Sequence, residues 1–291
     1  MDIFTTIQNW LISTFPIIDD PYILQIITAA GINVIMVLGL NLITGVTGQL
    51  SLGHAAFMSL GAYMSAIISV KLGLPFSLAI VSGMLFAGIS GALFGIPILR
   101  LRGDYLAIST LGFGEIIRVI LQNTPYVNGA LGIYGIPYFE GMTLLVILLA
   151  AFTIIFMYRF EHSRHGLAIR SIREDEIASE LMGVNIARYK ILSFAVGSAF
   201  AGLGGALHAH FLTQIQPTDF GFMKSIEQLC MVVLGGMGSI FGTVVGAVTL
   251  SVLPELLRGF DTYRMLTYGI VLILFMIFRP QGLFGKIKVN V

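Results

Sequence analysis

Apolar segments about as long as a bilayer is thick recur along almost the whole chain, and this repetition restricts the possible folds more than any other feature. A helix needs about 20 apolar residues to cross the hydrocarbon core, and fewer where it is broken or re-entrant. Two weaker runs, 105–122 and 225–235, are shorter or carry charge. The sequence predicts an all-α, polytopic transmembrane helical bundle with a single domain over residues 1–291. The strong runs lie at 23–43, 50–70, 76–99, 142–158, 191–212, 243–257 and 265–278.

The N-terminal leader, residues 1–22, is the ambiguous part of this map. Its apolar stretch at 3–18 contains Gln8, Asn9 and Pro16, so it either lies in the membrane interface or forms a further span. No basic n-region and no small-residue cleavage site are found there, so a signal peptide is not expected. We therefore expect about nine or ten spans, some of them broken or short.

Composition excludes several classes of protein. Charged residues make up 11% of the chain and hydrophobic residues 56%, against roughly 25% charged residues in a soluble domain. The formal net charge of +1 provides no basic stripe for nucleic acid. The sequence has no H-E-x-x-H motif and no paired intramembrane aspartates, which argues against a membrane-embedded enzyme. His54 has no companion at metal-ligand spacing, so no metal site is expected.

The positions of lysine and arginine predict the orientation in the membrane. With an odd number of crossings, the N-terminus lies outside and the C-terminus is cytoplasmic. Most of the 16 lysine and arginine residues then lie inside. The acidic start of the chain, with Asp2, Asp19 and Asp20, agrees with an outside N-terminus.

The one long polar stretch connects two predicted spans on the cytoplasmic side, at residues 159–190. Its core, 165–182, predicts one short helix with charges of both signs beside an apolar edge, ended by Gly183. A solvated loop fits this pattern, and so does a coupling helix, which is a short lever that docks on a motor protein. The residues expected to couple to such a motor are Arg170, Arg173, Glu174, Asp175, Glu176, Met182 and Gly183.

Polar residues inside predicted spans are costly, and they mark either a pathway or a paired interior contact. Glu115 and Arg118 are spaced i, i+3 and can pair with each other, and Glu227 follows Lys224 at the same spacing. Both the structural and the pathway interpretation are open for these residues. The candidate pathway residues are Asn41, Gln49, Ser51, His54, Glu115, Arg118 and Glu227.

Small residues recur at four-residue spacing, which lets helices approach closely inside a membrane. The spacing G-x7-G-A also occurs twice, once starting at Gly53 and once starting at Gly238. Corresponding broken helices in two halves of a chain indicate a transport site, although chance repetition is equally compatible with so glycine-rich a sequence. The glycines predicted to pack helices together are Gly83, Gly91, Gly95, Gly238, Gly242 and Gly246.

Several sequence blocks resemble one family of transporters. REDEIASELMG at 173–183 is similar to the acidic-Ala-Ala-x-x-x-Gly motif with which ABC importer permeases bind their ATPases. It departs from the common motif because Gly183 lies seven residues after Glu176 and no proline follows. Further blocks resemble, in order, the permeases for branched-chain amino acids of the LivM type. These blocks lie at 45–63, 100–118, 225–247 and 278–285.

The resemblance implies a subunit that forms half of the pathway of an ATP-driven importer in a prokaryotic plasma (inner) membrane. No G-x-x-x-x-G-K-[ST] sequence is present, so the chain needs no cofactor of its own and ATP with Mg²⁺ would be bound by partners. The implied partners are two ABC ATPase subunits, a homologous but unlike permease subunit, an extracytoplasmic substrate-binding protein and the lipid bilayer. Branched-chain or other small hydrophobic amino acids are the expected substrates. A urea, short-amide or sugar permease and an ion-coupled secondary transporter are the alternatives.

Overall fold

Helices account for nearly all of the regular structure in the computed structural model, which describes residues 20–98, 101, 103–256, 269, 273 and 282. The leader at 1–19 and most of the predicted span 265–278 lie outside the described residues. The helices are α1 (Pro21–Leu40), α2 (His54–Ala66), α3 (Phe76–Ile98), α4 (Asp104–Asn123), α5 (Met142–Glu161), α6 (Arg164–Glu174), α7 (Glu176–Leu181), α8 (Ile186–Leu212), α9 (Phe222–Gly235) and α10 (Ile240–Leu256). The predicted all-α fold is confirmed.

Short elements extend and connect these helices. Helices α1 and α2 continue into π-helical turns at Asn41–Val46 and Ile67–Lys71, and 3-10 turns lie at Pro125–Val127, Gly129–Leu131 and Pro217–Phe220. Strands β1 (Ile133–Tyr134) and β2 (Gln214–Ile215) pair antiparallel, with Ile133 opposite Ile215. This strand pair joins the loop before α5 to the loop after α8.

Four of the described helices are long and apolar enough to cross a membrane: Pro21–Val46, Phe76–Pro97, Met142–Glu161 and Ile186–Leu212. Their outer surfaces agree with that assignment. On α3, Leu85, Ile89 and Leu93 are 57%, 59% and 63% exposed and follow one another at four-residue spacing. Such an apolar stripe is unfavourable in water and is what a lipid-facing helix requires.

Helix α2 begins inside the bundle rather than at its end. Residues 47–53 are not helical, so the predicted span 50–70 is wrong in its first residues. His54, the first residue of α2, is fully buried. Its Nε2 donates to the carbonyl of Met36, at 3.1 Å, and Met36 lies about one turn before the end of α1. A Cβ on Gly53 would lie 1.9 Å from the carbonyl oxygen of Thr110, so only glycine fits where the chain turns back.

Helices α9 and α10 are joined by a second interruption, residues 236–239, in which Gly236 and Gly238 have φ values of +109° and +82°. A Cβ on Gly235 would lie 2.2 Å from the carbonyl oxygen of Gly242, so the two helices touch backbone to backbone. Both copies of the G-x7-G-A spacing therefore start at a break, Gly53 before α2 and Gly238 before α10. Gly238 itself lies in a turn rather than within a helix, and a Cβ on it would lie 3.0 Å from the carbonyl oxygen of Gly45 at the end of α1.

The other predicted packing glycines lie within helices. A Cβ on Gly83 would lie 2.6 Å from the carbonyl oxygen of Gly61 in α2, and one on Gly91 would lie 2.3 Å from Ser198 Oγ in α8. Gly95 and Gly246 are buried as well. Helix α8 contacts α1, α2 and α3 and is the centre of the bundle. Close backbone approach supplies the dispersion contacts that the hydrophobic effect cannot supply within lipid.

Candidate coupling and translocation site

The polar segment between α5 and α8 forms two short helices rather than the single helix predicted at 165–182. Helix α6 ends at Glu174, and Asp175 has extended backbone. The Asp175 side chain accepts hydrogen bonds from the amides of Ile177 and Ala178, at 2.9 and 3.0 Å, and so begins α7. An aspartate at a cap position competes with continuation of the helix before it. The predicted stop at Gly183 is confirmed, with a φ of +85°.

Two ion pairs attach this segment to the ends of α5 and α8. Arg170 Nη2 lies 2.6 Å from Glu161 Oε2, and the Glu161 side chain is only 4% exposed. Glu176 pairs with Lys190, whose side chain is 7% exposed. Two of the predicted coupling residues, Arg170 and Glu176, are therefore engaged within this chain. Each pair contains one nearly buried charge, so removal of the opposite charge is expected to destabilise the segment.

Arg173 reaches from α6 to both helix breaks. Its Nη1 donates to the carbonyl of Gly45, in the π-helical turn that ends α1. A Cβ on Gly48 would lie 3.1 Å from Arg173 Cγ, and one on Gly238 would lie 2.6 Å from Nη1. The amide of Gly238 in turn donates to Asn41 Oδ1, at 2.8 Å. The sequence placed Arg173 among residues that contact a motor; its Nη1 contacts the end of α1, while the residue as a whole stays exposed.

An exposed apolar surface lies on the other side of the segment. Ile177, Leu181 and Met182, which we call the α7 surface, are 67%, 84% and 84% exposed. Glu174 and Asp175 are exposed beside it. Three neighbouring apolar side chains at this exposure, in the most polar part of the chain, are typical of a protein–protein contact. The sequence prediction included Met182 but missed Ile177, although the i, i+4 spacing of Ile177 and Leu181 was available as a signal.

Buried polar side chains line the first break and the start of α2. Gln49, Ser51 and His54 are 4%, 1% and 0% exposed. Within the described part of the chain, the Gln49 amide, the Ser51 hydroxyl and His54 Nδ1 have no hydrogen-bond partner. A buried polar atom without a partner costs about 1–3 kcal/mol, so such atoms suit a region that water or a ligand enters.

One further residue of this region, Gln228 in α9, was missed from the sequence. It is fully buried, and its Nε2 lies 3.7 Å from Met36 Sδ and 3.4 Å from Met58 Sδ. Its Oε1 has no partner among the described residues. His54 contacts the same Met36, so Gln228 joins the polar region that the sequence placed around the first break. A single glutamine in an apolar run gave no local pattern that could have identified it.

The two predicted i, i+3 ion pairs are present. Arg118 Nη2 and Nε lie 2.6 and 2.9 Å from Glu115 Oε2, with side chains 34% and 37% exposed. Lys224 Nζ lies 3.0 Å from Glu227 Oε2. A contribution of these residues to a pathway stays a prediction. Among the described residues, no group of three or more His, Cys, Asp and Glu side chains could hold a metal ion.

The sequence profile of the family described as "Branched-chain amino acid transport system / permease component" matches residues 22–278. The "High-affinity branched-chain amino acid transport system permease protein LivM" of Escherichia coli (strain K12) is 38% identical over 89% of this chain and 69% of its own length. The protein of the same name from Salmonella typhimurium is 37% identical over the same shares. The LivH permease protein of Escherichia coli (strain K12) is 24% identical over 91% of this chain and 94% of its own length.

No solved structure matches the chain. The profile and the similarity to the two LivM proteins both extend over most of the sequence. The apolar helices agree with a protein that crosses the membrane several times. This chain therefore belongs to the family of branched-chain amino acid transport permease components, and it is a LivM-type member, as its sequence blocks indicated.

Proposed function

We propose that this chain forms half of the translocation pathway of an ATP-driven importer for branched-chain amino acids. The observation that carries the proposal is the contact of Arg173 with both helix breaks, in a chain that belongs to a family of permease components. Movement of α6 would act directly on the ends of α1 and α10, where the bundle is interrupted. We assign ATP hydrolysis, with ATP and Mg²⁺, to separate partner subunits.

The α7 surface is the proposed docking site for an ABC ATPase subunit. Its three exposed side chains supply apolar contact area, and Glu174 and Asp175 supply charge at its edge. The ion pairs to Glu161 and Lys190 fix α6 and α7 against the bundle. Displacement of the α7 surface would therefore be transmitted to Arg173. This surface is cytoplasmic in the orientation that the basic residues favour, which also places the C-terminus inside a prokaryotic inner membrane.

The proposed assembly contains a second, unlike permease. The chain is similar both to LivM proteins and, more distantly, to LivH proteins, which supports a pair of homologous permeases in one system. Two ATPase subunits and an extracytoplasmic substrate-binding protein complete the importer. Affinity then resides in the binding protein, and the pathway needs only weak contacts so that the substrate can leave.

The experiment that tests this function is ATP hydrolysis and uptake by the purified assembly in lipid vesicles, with its binding protein and leucine, urea or ribose. Stimulation and uptake with leucine are expected. Stimulation by urea or ribose alone would overturn the substrate assignment. Uptake that continues without any ATPase subunit would overturn the ATP-driven mechanism and favour ion-coupled transport.

A further inference from the structure

The Glu115–Arg118 pair lies near the middle of α4 and is only partly covered by this chain. Helix α4 has 20 residues, so it is about 30 Å long, and Glu115 lies about 17 Å from its start. About a third of each side chain is exposed, at 34% for Arg118 and 37% for Glu115. The sequence predicts α4 as one of the two weaker spans, and charges in the middle of a span are costly against acyl chains and ordinarily face a water-filled cavity or a protein partner. The side of α4 that carries them is therefore not a lipid-facing side.

The charged residues belong to a distinct stripe of α4. Leu111, Glu115, Arg118 and Gln122 follow at i, i+4, i+7 and i+11, and all four are half-buried. A separate apolar stripe carries the most exposed side chains of the helix. Its members Tyr105, Ile108, Ile116 and Val119 are 74%, 64%, 58% and 49% exposed. The helix thus has one apolar outer surface and, beside it, one polar stripe.

Helix α4 is fixed against the first break, next to its unpartnered polar atoms. The amide of Leu52 donates to Thr110 Oγ1, at 3.0 Å, and Thr110 lies little more than one turn before Glu115. Helix α9, which carries Gln228, contacts both α2 and α4. At about 100° per residue, Arg118 lies about 80° and Glu115 about 140° around the helix from Thr110, so the polar stripe follows the side of α4 next to the one that contacts the first break.

We propose that Glu115 and Arg118 bind the two charged groups of the amino-acid substrate as it passes through the pathway. The Arg118 guanidinium binds the α-carboxylate, and the Glu115 carboxylate binds the α-ammonium. This inference rests on the proposed import of amino acids. Both groups of the substrate lie on one carbon, so their separation suits two side chains at i, i+3. The planar guanidinium can bind both oxygens of a carboxylate in a bidentate manner, and its Nε and Nη2 both contact the Oε2 atom of Glu115 now.

An exchange of partners explains why such a site does not trap its substrate. Without substrate, each charge is neutralised by the other, and with substrate each is neutralised by the opposite charge of the zwitterion. No charge is left uncompensated in either state, so the net gain on binding is small. The same requirement excludes urea and sugars, which carry neither group.

The first test compares leucine uptake with ATP hydrolysis in the complete assembly. Glu115→Gln and Arg118→Gln should each lower leucine uptake by about 10- to 100-fold, while hydrolysis stimulated by the binding protein stays near the wild-type rate. Asp104→Asn removes the other carboxylate of α4, at its exposed first turn, and should leave uptake unchanged. Wild-type uptake in both neutral variants would overturn the inference.

The double variant Glu115→Gln/Arg118→Gln separates substrate binding from a purely structural pair. It leaves no unpaired charge, so a structural pair replaced in this way would recover uptake relative to the single variants. We expect uptake to stay as low as in the single variants, and recovery would overturn the inference. Failure of the wild-type assembly to import leucine would instead overturn the proposed function.

Thiol labelling tests the geometry without reference to transport. In a Cys230→Ser background, which removes the single cysteine of the chain, Leu111→Cys lies on the polar stripe and Ile116→Cys on the apolar stripe. A charged, membrane-impermeant thiol reagent should modify Leu111→Cys several times faster, and leucine should slow that reaction. Equal rates at the two positions, or no effect of leucine, would overturn a pathway along this stripe.

Discussion

The Arg173 side chain of α6 donates a hydrogen bond to the backbone carbonyl of Gly45, across the boundary between the polar segment and the membrane bundle. Its guanidinium also lies against Gly238, so a single side chain contacts both interruptions of the bundle. Backbone groups at helix breaks have no helical partner, and an arginine that satisfies one of them also fixes its position. The contact therefore links motion of α6 to the geometry of both breaks.

Arg173→Gln should separate transport from ATP hydrolysis. The shorter neutral side chain removes a charged hydrogen bond worth about 1.5–3 kcal/mol, so uptake should fall by about tenfold or more while hydrolysis persists. Arg164→Gln, at the exposed start of the same helix, is the matched control and should transport normally. Equal uptake by the two variants would show that Arg173 does not couple the segment to the bundle.

Glu176→Arg should destabilise the α7 segment, because it replaces the partner of the nearly buried Lys190 with a second positive charge. Loss of one partner of a buried pair costs about 3–5 kcal/mol. The swapped variant Glu176→Lys/Lys190→Glu restores opposite charges and should recover much of the loss. The measurements are the thermal midpoint of the purified assembly and its ATPase content. If the swap and the single variant behaved alike, the pair would have no stabilising effect.

Leu181→Ser and Met182→Ser should weaken association with the ATPase subunit. Both side chains are 84% exposed, so the change removes apolar contact area from the α7 surface without opening a cavity in the bundle. Leu72→Ser, at a residue 59% exposed outside the polar segment, is the control. Co-purification of ATPase with the permease measures the effect, and undiminished recovery from both α7 variants would contradict the docking site.

Gly53→Ala should strongly destabilise the protein, because the new Cβ would lie 1.9 Å from the Thr110 carbonyl oxygen and backbone cannot yield as a side chain can. Overpacking of this kind costs about 1–3 kcal/mol or more. Gly112→Ala is the matched control, since its Cβ meets nothing within 4 Å and alanine favours a helix. The thermal midpoint of Gly53→Ala should be lower than that of Gly112→Ala. Equal midpoints would contradict the close approach of α2 and α4.

Local pattern in the sequence was sufficient for the helices and for contacts between near neighbours. Apolar runs located α3, α5 and α8, and i, i+3 spacing identified the Glu115–Arg118 pair, because both depend only on helix periodicity. The split between α6 and α7 was missed, although Asp175 is a cap residue with a recognisable preference.

Contacts between residues distant in sequence could not be obtained in this way. Arg173 and Gly45 are separated by four complete helices and most of a fifth, and a charged residue in a polar segment gives no sign that it contacts the membrane bundle. Gln228 was missed for a related reason, since its importance comes from Met36 and Met58 on other helices. Such positions are determined by the assembled bundle.

The backbone contacts of α3, α2 and α8 have a mechanical consequence. Where Gly83 meets Gly61 and Gly91 meets Ser198, no layer of long side chains separates the helices. Where backbones are in direct contact, no side chain between them can change rotamer to absorb a displacement of one helix. Helices α2, α3 and α8 must therefore move as one rigid body. Helices α9 and α10, which touch backbone to backbone at Gly235 and Gly242, form a second pair restricted in the same way.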